Sequence, residues 1–184
     1  MRELVIGGAR SGKSALAEQR ATAFQQGGLQ VVYVATAEIG DAEMARRIDH
    51  HKARRPAGWG LVEAPLQLAA ALRANAAEGT CLVVDCLTLW LSNLLFAGAA
   101  ARQAEAGAAI DCPLLDGETM ALLDTLPTLP GQIILVSNEV GCGIVPMQAL
   151  SRCFADAQGR LNQRVAAVCE RVTLVAAGLP LSLK

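Results

Sequence analysis

Gly7-Gly8-Ala9-Arg10-Ser11-Gly12-Lys13-Ser14 stands directly after the apolar run Leu4, Val5, Ile6 and directly before a stretch of helix formers that opens at Lys13. A G-x-x-x-x-G-K-Ser/Thr run with a strand before it and a helix after it is a P-loop. The spacing has a physical reason. Glycines let successive backbone N–H groups curl around phosphates, Lys13 reaches the β- and γ-phosphates, and Ser14 offers its hydroxyl to Mg²⁺. The positive end of the helix dipole adds to the attraction. Residues 15 to 21, Ala-Leu-Ala-Glu-Gln-Arg-Ala, contain only good or tolerable helix formers, so both flanks satisfy the motif. Gly7 to Ser14 are therefore expected to bind a nucleoside triphosphate.

The rest of the chain repeats the alternation that begins there. Apolar, β-branched runs recur at 4–6, 31–35, 81–84, 133–136 and 172–176. Continuous runs of this kind suit strands buried on both faces of a parallel sheet. Helices are expected at 13–26, 41–54, 66–77, 87–96, 117–126 and 149–170, the last broken near Gly159. A short strand at 181–183, after Pro180, is expected to pair antiparallel with 172–176. The pattern predicts an α/β layered fold, and 184 residues suit one domain, 1–184. The stretch 97–111 reads as a helical extension or a surface insertion and carries no chemical signal.

Composition closes off other classes. Apolar residues make up 53% of the chain, yet no run approaches the ~18 needed to span a membrane. The apolar run after Arg2 and Glu3 is too short for a secretory signal, so a cytoplasmic protein is expected. Six cysteines form no C-x-x-C pair and no ligand spacing with the two histidines, which argues against a zinc site and a disulfide framework. Cys81, Cys86 and Cys169 read as small core residues. A net charge of −1 gives no global case for nucleic acid, so any anion site must be local.

Three further groups carry chemistry. Leu82-Val83-Val84-Asp85 is an apolar strand ending in a carboxylate, as the Mg²⁺-holding acid of a P-loop protein should be, although such an Asp also caps helices. Arg46 to Arg55 holds both histidines and five further cationic side chains, offset only by Asp49. On a helix Arg47, His51, Arg54 and Arg55 share a face and repel one another unless an anion sits among them. The guanidiniums disfavour imidazolium, so a histidine here, starting from a reference pKa of ~6.5, is expected to be neutral near pH 7 and able to attack phosphorus. The plainer alternative is a solvated basic face. Glu63, at the end of a short strand 60–62, is either a base or ribose contact or a strand-end carboxylate. The loop Asn138 to Pro146 follows the carboxyl end of a buried strand, where ligands of open α/β sheets bind. Arg152, Arg160, Asn162 and Arg164 read as one polar group facing a subunit or an anionic substrate.

Taken together, the P-loop, Val34-Ala35-Thr36, Glu43-Met44-Ala45 before Arg47-Ile48, His50-His51-Lys52, and Asn138-Glu139-Val140-Gly141 ending in Ile144-Val145-Pro146 closely resemble one family. That family is the bifunctional adenosylcobinamide kinase/adenosylcobinamide-phosphate guanylyltransferase of cobalamin biosynthesis. The similarity continues through Arg152, Phe154, Asp156, Gly159-Arg160, Asn162-Gln163 and 178–184, essentially the whole chain.

The resemblance implies a RecA-like P-loop fold and a homotrimer; Mg²⁺ held by Ser14 and Asp85 follows from the residues themselves. It implies that the γ-phosphoryl of ATP or GTP passes to the aminopropanol hydroxyl of adenosylcobinamide. GMP is then joined to adenosylcobinamide phosphate through a guanylylated histidine. Matching His-His-Lys places that residue at His51, with His50 as the rival. Lys52, Ala53, Arg54, Arg55, Glu63 and Asp85 match guanine-nucleotide contacts, and Val34, Ala35 and Thr36 another nucleotide-lining segment. Ala53-Arg54 departs from the smaller or acidic pair common in relatives. Two competing readings are a monofunctional P-loop small-molecule kinase, whose basic helix is only a lid, and a nucleotide-sensing module without turnover. One P-loop cannot present a γ-phosphorus to a hydroxyl and an α-phosphorus to His51 in the same pose, so the 41–55 helix is expected to move when nucleotide binds.

Overall fold

Each apolar run becomes a strand because both of its faces are covered. In the computed structural model, which describes residues 1–38, 56 and 58–184, seven strands form one sheet. In chain order the strands are β1 (Arg2–Gly7), β2 (Gln30–Ala35), β3 (Gly60–Glu63), β4 (Thr80–Asp85), β5 (Gln132–Asn138), β6 (Arg171–Ala176) and β7 (Leu179–Ser182). They lie in the order β3-β2-β4-β5-β1-β6-β7. All pairings are parallel except β6 with β7, the expected antiparallel edge.

The helices are α1 (Lys13–Gln26), α2 (Leu68–Asn75), α3 (Leu87–Ala97), α4 (Ala100–Glu105), α5 (Pro113–Thr125) and α6 (Ala149–Val168). Alternate strand residues divide the core in two. Val5, Tyr33, Val83, Ile134 and Val136 pack with Ala17 and Ala21 of α1 on one face. Leu4, Val34, Leu82, Val84, Ile133 and Leu135 pack with the apolar sides of α2 to α6 on the other. Trp90 of α3 is wholly buried there, and its Nε1 donates to Leu66 O at 2.7 Å.

Three helix expectations need correction. α6 runs unbroken through Gly159. A glycine in a helix interior costs only about 1 kcal/mol, which burial of Ala157, Gln158, Leu161, Asn162 and Val165 from the same helix outweighs. The helix expected at 117–126 begins four residues earlier, with Pro113 in its first turn, where the missing N–H has no partner to lose. α2 is shorter than 66–77 at both ends. The helix expected at 41–54 lies outside the described residues.

One buried ion group locks the P-loop helix to the sheet. Glu3 of β1 is 0% exposed; its carboxylate is ion-paired with Arg20 of α1, accepts from Thr173 Oγ1 of β6 at 2.9 Å and has Arg171 3.9 Å away. Arg20 Nη1 also donates to Thr173 Oγ1 at 3.0 Å. Removing Arg20 strands a buried carboxylate, so Arg20→Ala is expected to destabilise the protein by about 3 kcal/mol. Urea unfolding checks this. Arg171→Ala, at a half-exposed site, should cost well under half as much.

Candidate active site at the carboxyl edge of the sheet

Because β1 to β6 are parallel, their carboxyl ends gather along one edge. The register aligns Gly7 with Asn138, Ala35 with Asp85, and Ala35 with Glu63. The expected residues from five different strands thus come to one rim, the usual ligand edge of an open α/β sheet.

The P-loop fits its chemistry closely. A Cβ on Gly7 would lie 2.4 Å from Val175 O and 2.5 Å from Ser11 Oγ, so only glycine fits that approach. Gly12 has φ +99°, in the left-handed region that side chains rarely adopt, and turns the chain into α1. The loop is braced from outside, where Gly178 N–H donates to Ser11 O at 2.8 Å and Glu139 N–H to Gly7 O at 3.1 Å. α1 carries no acidic residue in its first turn and no side-chain cap, so its first N–H groups are left for an anion. Lys13 is only 9% exposed, and its Nζ donates to Gly8 O at 3.2 Å, which holds the ammonium across the loop. Ser11 Oγ is buried with no hydrogen-bond partner among the described residues, while Gly8, Ala9 and Arg10 are exposed at the crest.

Asp85 ends β4, separated from the P-loop strand by β5 alone. At ~4.8 Å per strand, that is about 10 Å from β1. Asp85 Oδ2 accepts a hydrogen bond from Tyr33 Oη at 3.0 Å. Tyr33, a phenol inside an otherwise apolar strand, thus supports the Asp85 carboxylate from β2, a contact that no local pattern announces. Cys86 follows Asp85 directly, and burial and then the Asp85 carboxylate push its thiol up to about 12. Cys81 and Cys169 are likewise pushed up to about 12 by burial, as inert core residues should be. Tyr33→Phe removes a neutral donor from the carboxylate, and loss of a net bond of about 1 kcal/mol is expected to lower Tm by ~2–4 °C. A thermal melt tests it.

The other expected residues divide. Val34 and Thr36 are fully buried. Thr36 Oγ1 donates to Cys86 O at 2.7 Å and accepts from Cys86 N–H at 2.8 Å, tying the end of β2 to β4. Ala35 is half-buried between them. Glu63 is exposed on the edge strand, four strands and about 19 Å from β1. The P-loop and the Glu63 end of the rim are therefore well apart. His50, His51, Lys52, Ala53, Arg54 and Arg55 lie outside the described residues.

The polar group expected from Arg152, Arg160, Asn162 and Arg164 does not assemble. Arg152 donates to Pro146 O at 3.1 Å and to Met147 O. Asn162 turns inward to β5. Arg160 and Arg164, one helical turn apart, line a cavity of about 260 Å³ between α3, α5 and α6, with Asp111 and Asp116. In the loop after β5, Glu139 Oε1 accepts from Gly141 N–H at 2.7 Å, while Ile144 and Met147 are almost fully exposed.

Among the described residues no three His, Cys, Asp or Glu side chains gather as a metal site, and no helix is long and apolar enough to cross a membrane. Comparison with solved structures confirms the layered P-loop architecture. A type III secretion system ATPase of pathogenic bacteria superposes with TM-score 0.54 at 14% identity, over 98% of this chain and 56% of that one. The flagellar accessory protein FlaH of Methanocaldococcus jannaschii gives TM-score 0.54 at 12% identity, over 100% of this chain and 77% of that one. The fold is RecA-like, with a mostly parallel sheet covered on both sides.

Sequence relatives are far closer. The bifunctional adenosylcobalamin biosynthesis protein CobP of Pseudomonas aeruginosa is 55% identical over 100% of this chain and 98% of its own length. The protein of the same description, CobU, from Salmonella typhimurium is 42% identical over 98% of each. The model of one family matches residues 3–183, taking in the P-loop, Asp85 and the antiparallel β6–β7 edge alike. On that match, and on relatives aligned from end to end, the chain belongs to the cobinamide kinase/cobinamide phosphate guanyltransferase family.

Proposed function

We propose that this chain catalyses two successive transfers in cobalamin biosynthesis. In the first, the γ-phosphoryl of ATP or GTP moves to the aminopropanol hydroxyl of adenosylcobinamide. In the second, His51 attacks the α-phosphorus of GTP, pyrophosphate leaves, and the GMP-histidine passes GMP to adenosylcobinamide phosphate, giving adenosylcobinamide-GDP. Two transfers spread the chemistry over steps that each need only a positioned nucleophile and a stabilised phosphoryl group.

The observation that carries the reading is the P-loop with Lys13 held across it and an uncapped helix beneath, one strand away from a carboxylate at the same edge. Lys13 and the first N–H groups of α1 would take the β- and γ-phosphates. Ser14 and Asp85 would hold Mg²⁺: two hard oxygen donors suit an ion that keeps waters and phosphate oxygens for its remaining positions. When bound, that ion neutralises charge developing on the transferring phosphoryl. Ala35 and Glu63, with Lys52, Ala53, Arg54 and Arg55, form the outer nucleotide contacts in this proposal, while the wholly buried Val34 and Thr36 back that segment from beneath. The distance between Glu63 and the P-loop supports separate poses for the nucleotide in the two steps.

The enzyme acts as a cytoplasmic homotrimer in this reading, binding corrinoid and nucleotide but neither nucleic acid nor membrane. Mass analysis of adenosylcobinamide incubated with the protein, Mg²⁺ and GTP tests it. Sequential appearance of the phosphate and of the GDP ester is expected; the phosphate alone would reduce the chain to a kinase.

A further inference from the structure

Asn138 ends β5, the strand that separates the P-loop strand from the strand of Asp85. It faces Gly7 in register, two residues beyond Val136, which faces Asp85. Its backbone is clamped on both sides. The N–H donates to Thr88 Oγ1 at 2.8 Å and the C=O accepts from Asn162 Nδ2 at 3.0 Å.

Asn162 is itself held by a buried network. Ser137 Oγ donates to Asn162 Oδ1 at 2.7 Å, and Gln158 Nε2 donates to both Asn162 Oδ1 and Ser137 Oγ at 3.0 Å. Ser137 and Gln158 are 0% exposed and Asn162 is 6% exposed. Three polar side chains buried this deeply are stable only when mutually bonded, and a bonded network of this kind fixes geometry. What it fixes is the end of β5. There Asn138 Oδ1 is buried and accepts no hydrogen bond among the described residues. An unmade bond at a buried acceptor costs free energy and calls for a reason. Gln158 Oε1 is also unpartnered among the described residues, but Gln158 lies in the core on α6, three residues before the buried Leu161, whereas Asn138 stands on the rim beside the phosphate loop.

Resting on the nucleotide reading above, we propose that Asn138 contacts the phosphoryl-accepting alcohol, its Oδ1 accepting the hydrogen bond of that hydroxyl. Thr88, Ser137, Gln158 and Asn162 are positioning residues that hold it there. The hydroxyl oxygen forms a bond to the γ-phosphorus while the bond from that phosphorus to the β–γ bridging oxygen breaks. The bridging oxygen keeps the electron pair and leaves as nucleoside diphosphate, and the hydroxyl proton passes to solvent. An amide oxygen is too weak a base to take that proton, so its contribution is orientation of the attacking oxygen.

The test compares wild type, Asn138→Ala, Asn138→Asp and Asn162→Ala in two measurements: affinity for a non-hydrolysable GTP analogue, and steady-state phosphorylation of adenosylcobinamide. Asn138→Ala is expected to bind the analogue within about twofold of wild type yet lose roughly 10- to 100-fold in kcat, the scale of a misplaced reacting group. Asn138→Asp, which restores an oxygen acceptor in the same place, should recover about tenfold of that loss. Asn162→Ala should lose kcat in the same direction, by less, with analogue affinity kept. A kcat within threefold of wild type in Asn138→Ala overturns the proposal, as does a loss that Asn138→Asp leaves unrelieved or one matched by lost analogue binding. If Asn138→Ala does not fold, Asn138→Asp and Asn162→Ala decide by the same criteria. Wild-type protein that neither binds the analogue nor phosphorylates the corrinoid would instead sink the nucleotide reading itself.

Discussion

Lys13→Ala is expected to lower phosphorylation of adenosylcobinamide by about 10³-fold, in line with removal of a preorganised charge from a phosphoryl-transfer site. The argument rests on where the ammonium is held. It lies almost buried inside the loop, bonded only to Gly8 O among the described contacts, so its charge is already in place before nucleotide arrives. Arginine should not rescue the variant, because a planar fork cannot occupy a pocket shaped for a compact ammonium. The fold should survive: Lys13 contributes one neutral-acceptor bond, and losing about 1 kcal/mol shifts Tm by only ~2–4 °C in a chain of this size. Initial rates beside a thermal melt check both halves of the expectation. Guanylyl transfer should fall with phosphorylation, since both steps draw on a bound triphosphate.

The second large effect separates the two transfers. His51→Ala is expected to remove guanylyl transfer by on the order of 10⁴-fold or more, as loss of a covalent nucleophile does, while much of the phosphorylation persists. Assays supplied with adenosylcobinamide phosphate and with adenosylcobinamide, run on the same preparation, read the steps independently. Equal losses in both would point to a basic lid that serves phosphoryl transfer alone. Loss in His50→Ala with His51→Ala intact would move the nucleophile by one position.

Sequence made the phosphate loop legible because every requirement there is local. Gly7, Gly12, Lys13 and Ser14 sit within eight residues, and β1 and α1 are adjacent in the chain as in space. The strands were legible for a different reason: with helices on both faces, runs such as Leu82-Val83-Val84 are apolar at every position rather than at alternate ones. Asp85 was identifiable as the residue that ends such a run. The groups that support these residues were not. Tyr33 meets Asp85 only because β2 and β4 become neighbours, 52 residues apart in sequence. Glu3 reads as an ordinary charged flank until β6 and α1 bring Thr173, Arg171 and Arg20 around it. The network from Ser137 to Gln158 and Asn162 depends on which face of α6 meets β5, and Gly159 within that helix misled by suggesting a break. Local chemistry is written in adjacent residues; its positioning is written in the sheet order.

The most direct measurement of the two-transfer account is incubation of the protein with Mg²⁺ and GTP labelled at either the α- or the γ-phosphate, followed by a test for protein-bound label. The expected result is retention of α-label alone, stable to alkali and released by acid, as a GMP-histidine would be. Absence of bound label from both substrates, or retention of γ-label alone, would contradict it.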